Sequence, residues 1–70
     1  MSSSAVETYF EDGAWRNWAD GGQLGGPHPS RDQAVAEGRQ VARDRGVEHI
    51  IRDEQATVVG RESFGRGDDR

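Results

Sequence analysis

"VETYFEDGAWRNWA", Val6 to Ala19, decides how the rest of the chain is read. The first six residues alternate and are rich in β-formers. Asp12-Gly13 then supplies the dipeptide favoured at the centre of a tight hairpin turn, and a second strand follows from Ala14 to Ala19. A two-residue loop fixes the register: Glu11 opposite Ala14, Phe10 opposite Trp15, Tyr9 opposite Arg16, Thr8 opposite Asn17, Glu7 opposite Trp18 and Val6 opposite Ala19. Side chains alternate along a strand, so the odd separation of Trp15 and Trp18 puts them on opposite faces. Val6, Thr8, Phe10 and Trp15 share the more apolar face, which makes Trp15 the expected core residue. Trp18 falls with Glu7, Tyr9 and Arg16 on the other face.

Working outward, "DGGQLGGPHPS" (Asp20 to Ser30) is rich in turn formers and too glycine-heavy for a long regular element. Gln23-Leu24 is a candidate short edge strand there, anchored by the chain's only leucine. Ser30 has Gln33 three residues on, the capping-box spacing, and Asp32 lies where the helix dipole favours an acid, so a helix is expected from Arg31. Ala34, Val35, Gly38, Val41, Ala42 and Arg45 follow one face of it, opposite Glu37, Gln40 and Asp44, and Gly46 is a natural stop. That face is built of small residues. Gly38 costs about 1 kcal/mol of helix propensity, which a close approach to a sheet would explain. Val47 to Arg52 reads as a strand, Asp53 to Ala56 as a turn, and Thr57 to Arg61 as another strand closed by Glu62-Ser-Phe-Gly. The expected fold is α+β: an antiparallel-rich sheet of two β-hairpins (ββ, a short β, α, ββ) with one helix on one face. The single domain spans residues 5–65, between a frayed polar terminus at 1–4 and a charged, flexible tail at 66–70.

Composition limits what such a domain can do. The chain has 70 residues, 31% hydrophobic and 31% charged, with ten glycines. At this size folding buries only roughly 60% of the unfolded surface. A small core makes self-association an attractive source of further burial. There is no cysteine, which excludes disulfides, thiolate catalysis and cysteine-ligated metals. No apolar run approaches the ~20 residues needed to cross a bilayer, and the start lacks a signal-peptide pattern, so a cytoplasmic protein without a membrane partner is expected. The net charge is −4, with 13 acids against nine arginines and no lysine, the opposite of a general nucleic-acid binder.

The chemistry-bearing residue types form no catalytic pattern. Gly21-Gly-Gln-Leu-Gly-Gly26 matches neither a dinucleotide fingerprint nor a Walker loop and reads as a flexible connection. His28, between two prolines, reads as an exposed loop residue. His49, within a strand, reads as a packed or half-buried histidine, and no ligand spacing joins either histidine to a metal site. Asp53-Glu54 and Asp68-Asp69 read as a solvated turn and tail. Arg66-Gly67-Asp68 spells an adhesion tripeptide by coincidence. Neither an enzyme nor a cofactor is expected.

One surface does stand out. A sheet with a single helix leaves one face uncovered, and Tyr9, Arg16 and Trp18 give it the aromatic and arginine composition enriched at interfaces. The competing local reading folds Trp18 over the sheet edge or under the glycine-rich loop. The functional expectation is a non-enzymatic binding or self-association module, a homodimer through Tyr9, Arg16 and Trp18. The alternative is a single-stranded nucleic-acid binder that stacks bases on Tyr9 and Trp18, with Arg16, Arg39 and Arg43 on phosphates. Arg43 also sits in the last helical turn, where cations oppose the helix dipole, so its placement has a local explanation.

The run from Val6 to Asp68 resembles the small bacterial family catalogued as domain of unknown function number 2188. The matching features are the N-terminal strand, Gly13-Ala-Trp15, the helix "RDQAVAEGRQVARDRG", "EHIIR", and Ser63-Phe64-Gly65 where the family tends to have Ser-Tyr-Gly followed by an aspartate, here Asp68. The chain departs from the pattern in the extra Ala14 between Gly13 and Trp15. It also has Gln55-Ala56 where the family's second hairpin turns at Asp-Gly, which leaves that turn's geometry open. The resemblance implies a compact αβ fold of bacterial or phage origin, and no catalytic residue.

Overall fold

The computed structural model describes residues 5–64; the polar terminus and the charged tail, with the Arg66-Gly67-Asp68 tripeptide, lie outside the described residues. The elements run β1 (Val6–Glu11), β2 (Ala14–Ala19), β3 (Gly22–His28), α1 (Arg31–Arg45), β4 (Glu48–Arg52) and β5 (Val58–Ser63). They form one five-stranded sheet in the order β3-β2-β1-β4-β5. The fold is α+β as expected, but the sheet is mixed: β1 pairs parallel with β4, Val6 beside His49, Glu7 beside Ile50 and Thr8 beside Ile51. Two antiparallel units therefore meet side by side at the centre.

The first hairpin has the expected register from Glu7–Trp18 to Glu11–Ala14. Its turn residues Asp12 and Gly13 both take positive φ, 52° and 76°, the conformation of a type I′ turn, whose twist matches that of the strands it joins. Asp20 and Gly21 repeat it at 54° and 78°. This second Asp-Gly turn corrects the expectation of a mostly irregular connection, because it launches a seven-residue β3 along the outer side of β2. The ladder uses backbone groups alone, so glycine content does not forbid it. The glycines instead take up an irregularity: Trp15 pairs with His28 but Asn17 with Leu24, so Gly25, Gly26 and Pro27 stand against Arg16 alone, two residues more than a regular ladder holds. Proline is tolerated there because β3 is an edge strand. His28 is likewise corrected from exposed loop to strand residue, half-buried against Glu37.

The helix begins and ends where its caps dictate. Ser30 is extended and its Oγ accepts the Gln33 N–H at 3.2 Å, a cap that contributes about 1 kcal/mol. Gly46 is left-handed at φ 70° and its N–H returns to the last turn. Ala34, Gly38 and Ala42 are the buried helical residues. Beneath them Val6, Ala19, Ala42 and Val47 form the apolar cluster, flanked by Leu24, Val41 and Phe64. Trp15, only 8% exposed, packs on Phe10 with ring centroids 5.0 Å apart. The last hairpin turns without Asp-Gly. The Asp53 carboxylate accepts the Gln55 and Thr57 N–H groups at 2.8 and 2.9 Å, and Ala56 takes the left-handed position, φ 68°.

Candidate functional site

Alternation and register together lay out the face that the helix leaves bare. Trp18, Glu7, Ile50 and Arg61 occupy neighbouring strands in one row. Arg16 pairs with Tyr9, and Arg52 lies beyond it on β4. Tyr9, Arg16 and Trp18 therefore share one surface. Trp18 is 42% exposed, so it is not hidden under β3. Arg16 donates to the Glu11 carbonyl at 3.2 Å and to Gln23 at 3.4 Å. Arg52 donates to Glu7 at 3.2 Å and to the Ala56 carbonyl at 3.0 Å, and Arg61 lies 3.7 Å from Glu48. Partial burial, with Glu11 nearby, raises the Tyr9 pKa, so its hydroxyl stays protonated.

A concavity of about 380 Å³ opens on this face, lined by Glu7, Tyr9, Phe10, Trp18, Arg52 and Ala56. Sequence reasoning placed Glu7, Tyr9 and Trp18 on this face and Phe10 on the other, and missed Arg52 and Ala56 as walls of the hollow. Their approach to Tyr9 depends on β4 lying parallel beside β1, and no local pattern announces that pairing.

Arg39 and Arg43 are elsewhere. Both ride on α1, across the sheet from Trp18, and both are engaged: Arg39 donates to Glu62 at 2.9 Å and Arg43 lies 5.6 Å over the Phe64 ring. The structure does not bring the two arginines to the surface that presents Tyr9 and Trp18. A strand stacked on those aromatics would meet Arg16 and Arg52 instead.

The second cluster of polar groups runs under the helix. Thr8, Asn17 and His49 are fully buried on three adjacent strands. Asn17 Nδ2 donates to the Ala34 carbonyl at 3.0 Å and to Glu37 at 3.2 Å, which turns Oδ1 toward Thr8. The Thr8 hydroxyl donates to that oxygen at 2.6 Å. Its one hydrogen is then used, so His49 Nε2, 2.7 Å away, is the donor to Thr8. The row continues outward through Glu37 to His28 at 2.6 Å; past His49, Glu62 Oε1 is 3.4 Å from Nδ1, which carries no proton in this tautomer and donates to Glu62 only in the imidazolium. No buried side-chain polar atom among the described residues lacks a partner. Gly38 lies directly above: a Cβ there would fall 2.6 Å from Asn17 Oδ1, 2.8 Å from His49 Nε2 and 2.9 Å from Thr8 Oγ1. The middle of the row is sealed from any substrate. Its visible role is to bind five strands and the helix together. The Thr8–Asn17 pairing was readable from the hairpin register, but the part played by His49 was not.

Burial lowers the His49 pKa from the ordinary 6.5, against the opposing pull of Glu62. The hydrogen bond from Arg39 is the main cause that lowers the Glu62 pKa. The sign follows: a histidine held neutral in the fold binds fewer protons than in the unfolded chain, so stability should fall as pH drops below about 6.5. The Glu62 contribution is lost lower, as pH falls below its ordinary 4.5 toward its depressed folded value. Urea denaturation at pH 7.5 and 5.5 should show a lower midpoint in acid, and His49→Gln should flatten that difference. An unchanged slope in the variant would assign the effect to another group.

Among the described residues no group of three or more His, Asp or Glu side chains could hold a metal ion, and no helix is long and apolar enough to cross a membrane. Comparison with curated proteins and with solved structures gives no significant match. A family model described as an uncharacterized protein conserved in bacteria, DUF2188, matches residues 6–64. That match takes in every strand and the helix, and by it the chain belongs to the DUF2188 family.

Proposed function

We propose that this chain is a non-enzymatic self-association module of the cytoplasm, a homodimer formed through the open sheet face around Tyr9, Arg16 and Trp18. The exposed Trp18 on that face carries the reading, since tryptophan is among the residues most enriched at the energetic centre of interfaces. Charge supports a second copy as the occupant. The face holds three carboxylates (Glu7, Glu11, Glu48) and three guanidiniums (Arg16, Arg52, Arg61) by alternation along the strands, although the chain as a whole carries −4. A two-fold interface sets like against like, so a balanced face avoids self-repulsion. Glu7 with Arg52 and Glu48 with Arg61 are already paired within the chain, which lowers the cost of covering them.

Size sets the expected strength. Five strands about 4.8 Å apart and six residues long at about 3.3 Å each give a footprint of roughly 400 Å² per copy, below the ~600 Å² per partner at which stable specific interfaces begin and in the range of weak, transient ones. The dimer should therefore be reversible. Sedimentation across a dilution series should show mass falling from dimer to monomer, and Trp18→Ala should weaken association at least about tenfold, the usual effect of a central tryptophan. A wild type that stays monomeric at about millimolar concentration would overturn the proposal.

A further inference from the structure

Besides Trp18, the large apolar side chains left exposed among the described residues are Val58 and Val59, at 41% and 52%. Val58 stands opposite Arg52 on the face just described, and Val59 is next to it. Gly60 pairs with Ile51, yet Arg52 pairs with Val58, so Val59 is the extra residue of a bulge. In such a bulge two successive residues oppose one on the neighbouring strand. Here the opposing residue is Arg52, which reaches Glu7 on the open face. The bulge thus raises two adjacent valines as an apolar ridge on one flank of the face.

The hollow lies beside this ridge. Its volume is about 380 Å³, and Tyr9, Phe10, Trp18 and Ala56 make most of its wall, with the tethered Glu7 and Arg52 between them. Two valine side chains contain six carbon groups, each close to the ~30 Å³ share of a water molecule, so the ridge fits. Ridge and hollow on a single face are what a two-fold interface uses: the rotation that brings one copy's ridge over the other's hollow returns the second ridge to the first hollow. A second copy covers both.

Resting on the dimer reading above, we infer that in the homodimer the Val58–Val59 ridge of each copy seats in the other copy's hollow, between Tyr9 and Trp18. This assigns the interface a register and adds β5 to a contact that the sequence assigned to β1 and β2 alone.

The full chain is small enough for direct observation. In a mixture of valine-methyl-labelled and unlabelled protein, isotope-filtered NOE spectra should show cross-peaks from Val58 and Val59 methyls to the Trp18 indole and Tyr9 ring of the unlabelled copy. Val59→Asp should raise the dissociation constant at least tenfold while leaving the monomer's amide spectrum folded. The wild-type spectrum needs no substitution, so a misfolded variant does not spoil the test. A wild type that dimerises and is weakened by Trp18→Ala, yet shows no such cross-peaks and is indifferent to Val59→Asp, would keep the dimer and overturn this docking. A wild type that is monomeric throughout would overturn both.

Discussion

Gly38→Ala should destabilise the protein by about 2 kcal/mol or more, although glycine to alanine within an exposed helix ordinarily stabilises by about 1 kcal/mol. The reversal comes from what lies below. The new methyl would fall 2.6 to 2.9 Å from polar atoms of Asn17, His49 and Thr8, closer than real Cβ atoms approach. Side-chain tips usually yield cheaply, but these three are fully buried and hydrogen-bonded to one another. If they move, donors and acceptors are left unpaired at about 1–3 kcal/mol each. If the helix lifts instead, it loses the packing of Ala34 and Ala42, both fully buried. Either route exceeds the gain in propensity. Urea denaturation beside Ala36→Gly, at an exposed helical position, provides the comparison: that control should cost only about 1 kcal/mol. A Gly38→Ala protein as stable as wild type would mean that the helix stands further from the sheet.

The elements legible in the sequence are those whose determinants are local. Asp12-Gly13 fixed a hairpin and, through alternation, placed Tyr9, Arg16 and Trp18 on one face. Ser30 and Gly46 bounded the helix. Asp20-Gly21 carried the same turn signal and was obscured by the glycines that follow, because glycine is informative about turns and nearly silent about edge strands. The parallel pairing of β1 with β4 is set by a crossover through the helix and leaves no mark in either strand. Everything that depends on it was hidden for that reason: His49 beneath Thr8, Arg52 beside Glu7, and the valine ridge beside the hollow. Gly38 was the partial exception. A glycine amid good helix formers signals close approach, but not that polar groups are what it approaches.

Asn17→Leu should be among the most damaging single changes, about 3 kcal/mol, and Thr8→Val about 2 kcal/mol, yet the double variant should lose about 1–2 kcal/mol less than their sum. Removing the Asn17 amide strands the Thr8 hydroxyl it accepts from and ends the donation to the Ala34 carbonyl and Glu37. Removing the Thr8 hydroxyl strands Asn17 Oδ1 and the His49 Nε2–H. Each single change thus carries the penalty of a partner left buried and unpaired, and in the double variant the Thr8–Asn17 part of that penalty disappears because neither group remains. What survives is the loss at His49 and Ala34, so the double variant should still be weaker than wild type. The His49 share is separable by pH. Neutral His49 and its imidazolium both carry the Nε2–H that Thr8 accepts, the charged form loses that bond at the greater cost, and burial still disfavours it, so variants lacking Thr8 should lose at least as much stability in acid as wild type. Denaturation of the four proteins at pH 7.5 and 5.5 measures both couplings. Strict additivity would mean that the three buried groups are satisfied separately, and that the helix is not held to the sheet by a continuous row.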